Sequence, residues 1–193
     1  MSLDILLLGP QGAGKGTQGR LIAAEYGIPH VATGDMLRDA IARGTELGRQ
    51  AQPVLDAGEL VPDQLMGALI RERLGADDAR EGFVLDGFPR TMAQAEALDE
   101  TLHEISRELD VVFEFQLPDE VGRERMLKRA AEEGRTDDTP AAIARRLALY
   151  HQETEPLVEH YRARNNVVGI HADRPVGEVF REIQQALEQV AVR

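Results

Sequence analysis

Hydrophobic and polar positions divide this chain into alternating strand-like and helix-like segments. Five short apolar runs, each bounded by turn residues, predict β-strands: Leu3–Leu8, Ile28–Ala32, Phe83–Asp86, Val111–Leu117 and Val167–His171. Such nearly continuous runs are typical of parallel strands covered on both faces. Helical patterns separate them, and the clearest runs from Val176 to Val190, with apolar residues three and four apart. This order predicts an α/β fold with a parallel sheet.

Two intervals do not follow this alternation. From Thr33 to Val61 the pattern is helical but is broken by several glycines and by Pro53. From Lys128 to Asp138 the chain is highly charged and almost free of large apolar residues. We expect neither interval to bury much surface, and we expect both to lie over the site and to move. The 193 residues therefore predict one domain with two small insertions.

A glycine-rich run connects the first predicted strand to a predicted helix, Lys15–Tyr26. It reads Gly9-Pro10-Gln11-Gly12-Ala13-Gly14-Lys15-Gly16-Thr17. Glycines allow the tight turn that points successive N–H groups at a polyphosphate, and the helix adds the positive end of its dipole. Lys15 adds a full charge, and Thr17 adds a hydroxyl that can reach a phosphate or its magnesium ion. The run predicts a phosphate-binding loop.

The residues around Lys15 narrow the class of protein. Of the 22 basic residues, only Lys15 and Lys128 are lysine, so a compact ammonium stands where a phosphate cradle needs one. The strict phosphate-loop pattern has Ser or Thr directly after the lysine, whereas here Gly16 comes before Thr17. This spacing disfavours a GTPase or a motor ATPase and favours a kinase of small metabolites.

Charge and composition argue against several other functions. The net charge of -12 disfavours nucleic acid or an anionic membrane as the main partner. A nucleotide is also anionic, so an acidic protein that binds one must concentrate its cations at the site. The chain has no cysteine, and its five histidines show no metal-ligand spacing. No apolar run approaches the length of about 20 residues that spans a bilayer, and no charged leader is visible. We expect a cytoplasmic protein that is monomeric by default.

Polar residues follow two of the predicted strands. Thr33 comes directly after the second strand and is a candidate N-cap, with Asp35 favourable in the first helical turn. Capping does not explain Arg38, one turn further on. Asp86 ends the third strand and precedes Gly87-Phe88-Pro89-Arg90. It is either a turn residue or a ligand of magnesium, directly or through water, and the phosphate loop favours magnesium.

Three arginines near the second interval form a further candidate set: Arg129, Arg135 and Arg146. Asp137 and Asp138 lie beside them in the sequence. Arg145 and Arg146 are adjacent, so at most one of them can readily point into a common site. A single arginine is usually a surface residue, but a cluster is what phosphoryl transfer needs, because cations must surround its equatorial oxygens.

In combination, three motifs resemble the adenylate kinases, which are nucleoside-monophosphate kinases of the phosphate-loop class. They are Gly-Pro-Gln-Gly-Ala-Gly-Lys-Gly-Thr-Gln at 9–18, Thr-Gly-Asp-Met-Leu-Arg at 33–38 and Asp-Gly-Phe-Pro-Arg-Thr at 86–91. The resemblance implies a phosphate-loop kinase fold with a five-stranded core. It also implies a helical AMP-binding flap at about 32–61 and a short lid over ATP at about 128–138, as in short-lid bacterial enzymes. With no cysteine in the chain, the zinc ion of some longer lids is not expected.

The same resemblance implies roles for individual residues. Those expected to contact ATP are Gly12, Ala13, Gly14, Lys15, Gly16, Thr17, Arg129 and, through its backbone, Arg174. Those expected to hold AMP are Thr33, Arg38, Glu59, Leu60, Val61, Gly87, Phe88, Pro89, Arg90 and Gln94, with Arg135 and Arg146 bridging the phosphates. The expected catalytic set is Lys15, Asp86, Arg90, Arg129, Arg135 and Arg146, with Asp86 holding Mg²⁺ through water.

The expected reaction is the reversible, Mg²⁺-dependent transfer of the γ-phosphoryl group of ATP to AMP, giving two ADP. It serves adenine nucleotide homeostasis and AMP salvage. The accepting phosphate oxygen is largely ionised at neutral pH, so no general base is needed. Two alternatives stay open: a UMP/CMP-type kinase, in which alanine tends to replace Thr33, and a nucleotide-binding switch without transfer activity. Thr33 with Gln94 favours adenine, and the cations at Arg38 and Arg90 favour two anionic ligands.

Overall fold

Five parallel strands form the central sheet of the computed structural model, which describes residues 2–164 and 166–190. The strands lie in the order β2-β3-β1-β4-β5, and their bounds are β1 (Leu3–Leu8), β2 (His30–Ala32), β3 (Gly82–Asp86), β4 (Val111–Gln116) and β5 (Val167–His171). All neighbouring pairs are parallel, and Leu7 and Ala32 both lie opposite Asp86 in the register. The strand that leads into the glycine-rich loop is therefore the central one.

Helices follow every strand and cover both faces of the sheet. Those in the described part of the chain are α1 (Lys15–Tyr26), α2 (Thr33–Ala42), α3 (Glu46–Asp56), α4 (Asp63–Leu74), α5 (Met92–Glu104), α6 (Asp119–Glu133), α7 (Pro140–Leu149), α8 (Leu157–Arg162) and α9 (Val176–Val190). A 3-10 turn at Asp77–Ala79 and a π-helical turn at Tyr150–Thr154 complete the helical structure. Among the described residues no helix has the length and apolar character needed to cross a bilayer.

Alternate residues of β1 pack into two separate cores, one on each face of the sheet. Leu6 and Leu8 pack with residues of α5 and α8, and Ile5 and Leu7 pack with residues of α1 and α9. Successive side chains of a strand point to opposite faces, so a strand covered on both sides is apolar throughout. The continuous apolar runs in the sequence have this cause.

This architecture confirms the predicted fold class. The predicted helices Lys15–Tyr26 and Val176–Val190 are observed with the same bounds. Three strand boundaries differ by one or two residues: β2 begins at His30, β3 begins at Gly82 and β4 ends at Gln116. At β2 the reason is Pro29, which has no N–H to donate, although its carbonyl accepts a hydrogen bond from Val84 N at 2.9 Å.

The interval predicted as a flap folds into the two helices α2 and α3, which pack against each other. Leu37, Ala51 and Val61 are buried in the larger apolar core. The expectation that this interval buries little surface is therefore wrong. Its glycines break the apolar pattern in the sequence, but each short helix still contributes residues to the core.

The interval predicted as a lid begins inside α6, which continues to Glu133, and ends in a loop before α7. Two of its residues are buried, Asp137 and Asp138, and both are acidic. Here the prediction of little apolar burial is confirmed. What holds this segment in place is charge rather than apolar packing.

Candidate active site

The glycine-rich loop leaves the N-terminus of α1 open to a ligand. Gly14 is the N-cap of this helix and has a φ of 83°, a left-handed conformation that residues with a Cβ rarely adopt. No side chain caps this end, and no acidic residue lies in the first turn. The first N–H groups and the positive end of the helix dipole are therefore available to an anion.

Lys15 lies within this loop. Its Nζ donates to the carbonyl of Gly9 at 2.7 Å and to that of Pro10 at 2.9 Å. Burial lowers the pKa of Lys15 to about 8; the charge of Asp86 opposes this shift, and the charges of Arg90 and Arg129 add to it. The ammonium is thus short of negative partners, which phosphate oxygens would supply.

Asp86 lies at the end of β3, facing the start of α1. A Cβ placed on Gly16 would be 3.6 Å from Asp86 Oδ2. Burial favours the neutral acid, but His30 and the charges of Lys15 and Arg90 outweigh it and hold the pKa of Asp86 below its usual range. His30 Nε2 lies 3.8 Å from Asp86 Oδ2 and has no hydrogen-bond partner in the described chain. No sequence motif pointed to this neighbour.

Asp86 is the residue that could hold magnesium. No group of three or more His, Cys, Asp or Glu side chains suited to a metal ion occurs among the residues that the structure describes. Magnesium at nucleotide sites often takes only one or two carboxylates, together with phosphate oxygens and waters. A buried carboxylate that faces a phosphate loop fits this requirement.

Thr33 does not cap α2, so this prediction is wrong. Ala32 is the N-cap, and the Thr33 hydroxyl instead donates to the carbonyl of Asp86 at 3.3 Å. Gly87, with a φ of 84°, makes room for this contact, because a Cβ there would lie 2.6 Å from Thr33 Oγ1. Asp35 lies in the first turn of α2, as predicted. The bond joins the start of α2 to the end of β3.

Arg90 and Gln94 form a connected pair after β3. The backbone N–H of Arg90 donates to Gln94 Oε1 at 2.8 Å, and Arg90 Nε donates to the carbonyl of Gly87 at 2.8 Å. Gln94 is only 2% exposed, and its Nε2 donates to Asp63 Oδ1 at 2.7 Å. Both polar atoms of the Gln94 amide are therefore held by neighbours.

Two buried carboxylates hold arginines of α2, α6 and α7 together. Asp138 accepts hydrogen bonds from Arg129 Nη2 at 2.7 Å and from Arg146 Nη1 at 2.5 Å. Asp137 Oδ2 accepts from Arg146 Nη2 at 2.8 Å and lies 3.7 Å from Arg38 Nη1. Burial opposes ionisation of Asp137, but the contacts with Arg146 hold its pKa below the usual range. Three cations from separate segments thus converge on one pair of anions.

The remaining arginines of this region point in different directions. Arg135 Nε donates to Glu133 at 2.7 Å. Arg145 is exposed and donates to Glu59 at 2.7 and 3.0 Å, whereas the adjacent Arg146 is 8% exposed and points inward. The prediction that only one of these two adjacent arginines enters the site is confirmed.

One cavity of about 530 Å³ brings these groups together. The predicted site residues that line it are Gly12, Ala13, Gly14, Lys15, Gly16, Thr17, Thr33, Arg38, Glu59, Leu60, Val61, Asp86, Gly87, Pro89, Arg90, Gln94, Arg129, Arg135, Arg146 and Arg174. Phe88 is the exception: its side chain is 1% exposed and packs in the apolar core, so the predicted contact with AMP could come only from its backbone. Its ring turns away from the polar loop because burial favours an aromatic side chain.

Two basic residues of the cavity belong to none of the sequence motifs. Arg20 and Arg125 bring the cavity's basic side chains to nine. Arg125 Nη1 donates to the carbonyl of Ala172 at 2.8 Å. Arg125 precedes Arg129 by four residues on α6, and this spacing, which puts both on one helix face, could have identified it.

Taken together, the central phosphate loop, the carboxylate on the next strand and the shared basic cavity define a nucleotide phosphotransferase of the phosphate-loop class. The family model described as "Adenylate kinase" matches residues 7–166. The chain belongs to the adenylate kinase family. The resemblance inferred from the three motifs is thereby confirmed.

Relatives named adenylate kinase match the chain over nearly its whole length. One from Thermobifida fusca is 46% identical over 98% of this chain and 100% of its own length. One from a Mycobacterium species is 47% identical over 96% of this chain and 99% of its own. One from a Cyanothece species is 45% identical over 96% and 95%. Enzymes of this family are phosphotransferases that use adenine nucleotides.

Proposed function

We propose that this chain catalyses the reversible transfer of the γ-phosphoryl group of Mg²⁺-ATP to AMP, giving two ADP. The family match and the names of its relatives support this reaction. The observation that carries the proposal is the single cavity lined by Lys15, Arg38 and Arg90 together. Two nucleotides that meet end to end need cations on both sides of the transferred group.

ATP is proposed to lie on the β4 and β5 side of the cavity. The N–H groups of Gly12–Thr17 would hold its phosphates, with Lys15 and Arg129 as cations. Arg174 lies in the β5–α9 connection, which lines the cavity, and its backbone would pass the adenine. Gln18 Nε2 donates to the carbonyl of Val176 at 2.9 Å and so ties this connection to the helix of the phosphate loop.

AMP is proposed to lie on the β2 and β3 side. Thr33, Arg38, Gly87, Pro89, Arg90, Gln94 and the segment Glu59–Val61 line this part of the cavity. Arg38 and Arg90 would hold its phosphate, and Gln94 its base. Arg135 and Arg146 would lie between the two nucleotides. The Arg146–Asp138 and Arg146–Asp137 contacts support this position, because they place the guanidinium where flap and lid meet.

Catalysis in this proposal consists of positioning and charge neutralisation. The attacking atom is an ionised phosphate oxygen of AMP, so no residue has to remove a proton. Lys15, Arg90, Arg129, Arg135 and Arg146 would stabilise the charge that spreads over the transferred group. Asp86 would hold Mg²⁺ through water, and the ion would supply further positive charge to neutralise the phosphates. Water has to be excluded, because it would otherwise accept the phosphoryl group.

The flap at 32–61 and the lid at 128–138 are proposed to close over the nucleotides. Contacts between the two segments support a coupled movement. Arg38 of the flap approaches Asp137 of the lid at 3.7 Å, and Arg146, just beyond the lid, donates to the carbonyl of Leu55 at 3.1 Å. Phosphates that compete for these arginines would change the same contacts that join flap and lid.

A panel of AMP, GMP, CMP and UMP with Mg²⁺-ATP tests the substrate. We expect AMP to be the preferred acceptor; a higher kcat/KM for CMP would contradict the proposal and favour a UMP/CMP-type kinase.

A dinucleoside pentaphosphate with two adenosines distinguishes an enzyme with two nucleotide sites from a switch with one. It should bind far more tightly than ATP alone, and equal affinities would favour the switch. The chain is also proposed to be a monomer, which size-exclusion chromatography tests.

A further inference from the structure

The amide of Gln94 is held in one orientation by its neighbours. Arg90 N lies 2.8 Å from Gln94 Oε1, and Asp63 Oδ1 lies 2.7 Å from Gln94 Nε2. A backbone N–H can only donate a hydrogen bond, and an ionised carboxylate can only accept one. The oxygen of the amide must therefore face Arg90 and its nitrogen must face Asp63, whatever else binds in the cavity.

Asp63 has a second hydrogen-bond partner besides the Gln94 side chain. It is the first residue of α4, and its Oδ1 also accepts a hydrogen bond from Thr91 Oγ1 at 3.1 Å. Thr91 is the N-cap of α5 and accepts a hydrogen bond from Gln94 N at 3.2 Å. The carboxylate thus links the starts of two helices, and Gln94 lies between fixed groups. None of the sequence motifs includes Asp63.

The held amide still has hydrogen bonds to offer. Its nitrogen carries two N–H groups and its oxygen two lone pairs, and each atom uses one of them on a protein neighbour. One donor and one acceptor remain on a residue that lines the cavity. This pair matches the Watson–Crick edge of adenine, where the 6-amino group donates and N1 accepts. A 6-oxopurine presents the reverse pattern at the same edge, where O6 accepts and N1–H donates.

We propose that Asp63 is a positioning residue that gives the enzyme its preference for 6-aminopurine over 6-oxopurine monophosphates. A free glutamine could read either base by rotating its amide through 180°. Asp63 opposes this rotation because the turned amide would place its oxygen against a carboxylate and bury an unmet donor against Arg90 N. The inference rests on the proposed contact between Gln94 and the AMP base.

The test compares AMP and IMP in Asp63→Asn. Asparagine keeps the shape of aspartate but can either donate or accept, so one of the two groups that orient Gln94 is lost. We expect the AMP/IMP ratio of kcat/KM to fall about fivefold or more, mostly through KM, since an unmatched buried hydrogen bond changes binding by about this factor. Calorimetric binding of AMP and IMP without ATP should show the same loss of preference.

Two further variants separate this role from others. Asp39→Asn removes an exposed carboxylate of α2 that pairs only with Arg43 in the described contacts, and it should leave the AMP/IMP ratio of kcat/KM unchanged.

If Asp63 serves only to start α4, Asp63→Asn lowers the thermal unfolding temperature but leaves the AMP/IMP ratio within twofold of wild type, which overturns the inference. If Gln94→Ala also leaves the ratio unchanged, the contact between Gln94 and the base fails with it. If Gln94→Ala abolishes the preference while Asp63→Asn does not, only the role of Asp63 fails.

Discussion

At the amino end of the sheet a buried carboxylate and a guanidinium are paired with each other, whereas at the carboxyl end the cations outnumber the anions. Asp4 is 1% exposed, and both of its carboxylate oxygens accept hydrogen bonds from Arg107, one from Nε at 2.7 Å and one from Nη2. Arg107 Nη1 donates to the carbonyl of Ala79 at 2.7 Å, and its guanidinium lies 5.1 Å from the centre of the Phe83 ring. Burial raises the pKa of Asp4, although the hydrogen bond and charge of Arg107 oppose it.

The carboxyl end has a different balance of charge. Lys15 donates only to carbonyl groups among its hydrogen bonds in the described chain, and burial lowers its pKa to about 8. Burial also lowers the pKa of Arg90, and Arg146 and Arg38 lower it further, against the charge of Asp86. At the amino end each charge has its partner within the protein, so removing one partner leaves a buried charge uncompensated. The excess cations at the carboxyl end can be completed by an anionic ligand.

The largest expected effect is the loss of turnover in Lys15→Ala. Removing one preorganised cation should lower kcat by about 1,000-fold, because the charge of the transferred group is no longer neutralised. The free energy of unfolding should not fall, since a buried charge without an anionic partner does not stabilise the fold. Steady-state assays and denaturant unfolding measure the two effects. Lys128→Ala is the matched control, because Lys128 is exposed and pairs only with Glu132 in the described contacts. A fully active Lys15→Ala variant would contradict the assignment of the excess cations at the carboxyl end to catalysis.

Arg107→Ala should lower stability and leave activity unchanged, the opposite of Lys15→Ala. It leaves Asp4 buried without its cation, which costs about 3–5 kcal/mol of unfolding free energy. The folded variant should keep the wild-type KM for AMP and ATP, because Arg107 lies at the other end of the sheet. Urea unfolding monitored by circular dichroism gives the free energy. Arg80→Ala, which breaks an exposed pair with Asp77, should change it by less than about 0.5 kcal/mol. Equal effects of the two variants would mean that burial does not distinguish the pairs.

Asp138→Asn should destabilise the nucleotide-free protein by about 2 kcal/mol, since Arg129 and Arg146 lose the anion that they share. A saturating dinucleoside pentaphosphate should narrow the difference from wild type, because its phosphates supply the missing negative charge. Thermal unfolding with and without the ligand measures this change. The ligand should not reduce the loss of stability in Arg107→Ala, because Arg107 lies away from the nucleotide sites. A deficit in Asp138→Asn that the ligand leaves unchanged would show that Asp138 serves the fold alone.

The smallest expected effect is a pH dependence of ATP affinity. The pKa of Lys15 is about 8 in the free protein, and bound phosphates should raise it again. Binding then takes up a proton as the pH rises above about 8, so affinity falls about fivefold between pH 8 and pH 9 and approaches tenfold per pH unit only above about pH 9. Calorimetry at pH 8.5 in two buffers of different ionisation enthalpy detects the proton uptake. Lys15→Met should lack this uptake, and uptake that persists in the variant would assign it to another group.

The sequence was sufficient for features that depend on local pattern. Apolar runs located all five strands, and the glycine spacing located the loop that ends at Gly14, the N-cap of α1. Periodicity gave the bounds of α9. These features are local because side-chain period and backbone conformation are set by neighbours in the chain.

Contacts between residues far apart in the chain could not be predicted from the sequence. Thr33 was predicted to cap its own helix, but the tertiary fold brings its hydroxyl to the carbonyl of Asp86, 53 residues away. Phe88 lies in a polar motif, yet its ring belongs to the core. The bond from Gln94 to Asp63 spans 31 residues and follows from the packing of α4 against α5. No local pattern encodes such pairs, because each depends on where the other segment lies.

The strand order has a consequence for how this enzyme can be altered. With β1 in the centre, the loops after β2 and β3 lie to one side of it and those after β4 and β5 to the other. The loops of the proposed AMP site therefore come from the segment between β2 and α5, which follows the shared phosphate loop in the chain. A graft of that segment from a kinase with another acceptor base would exchange the preference and leave the phosphate loop and the β4–β5 side intact.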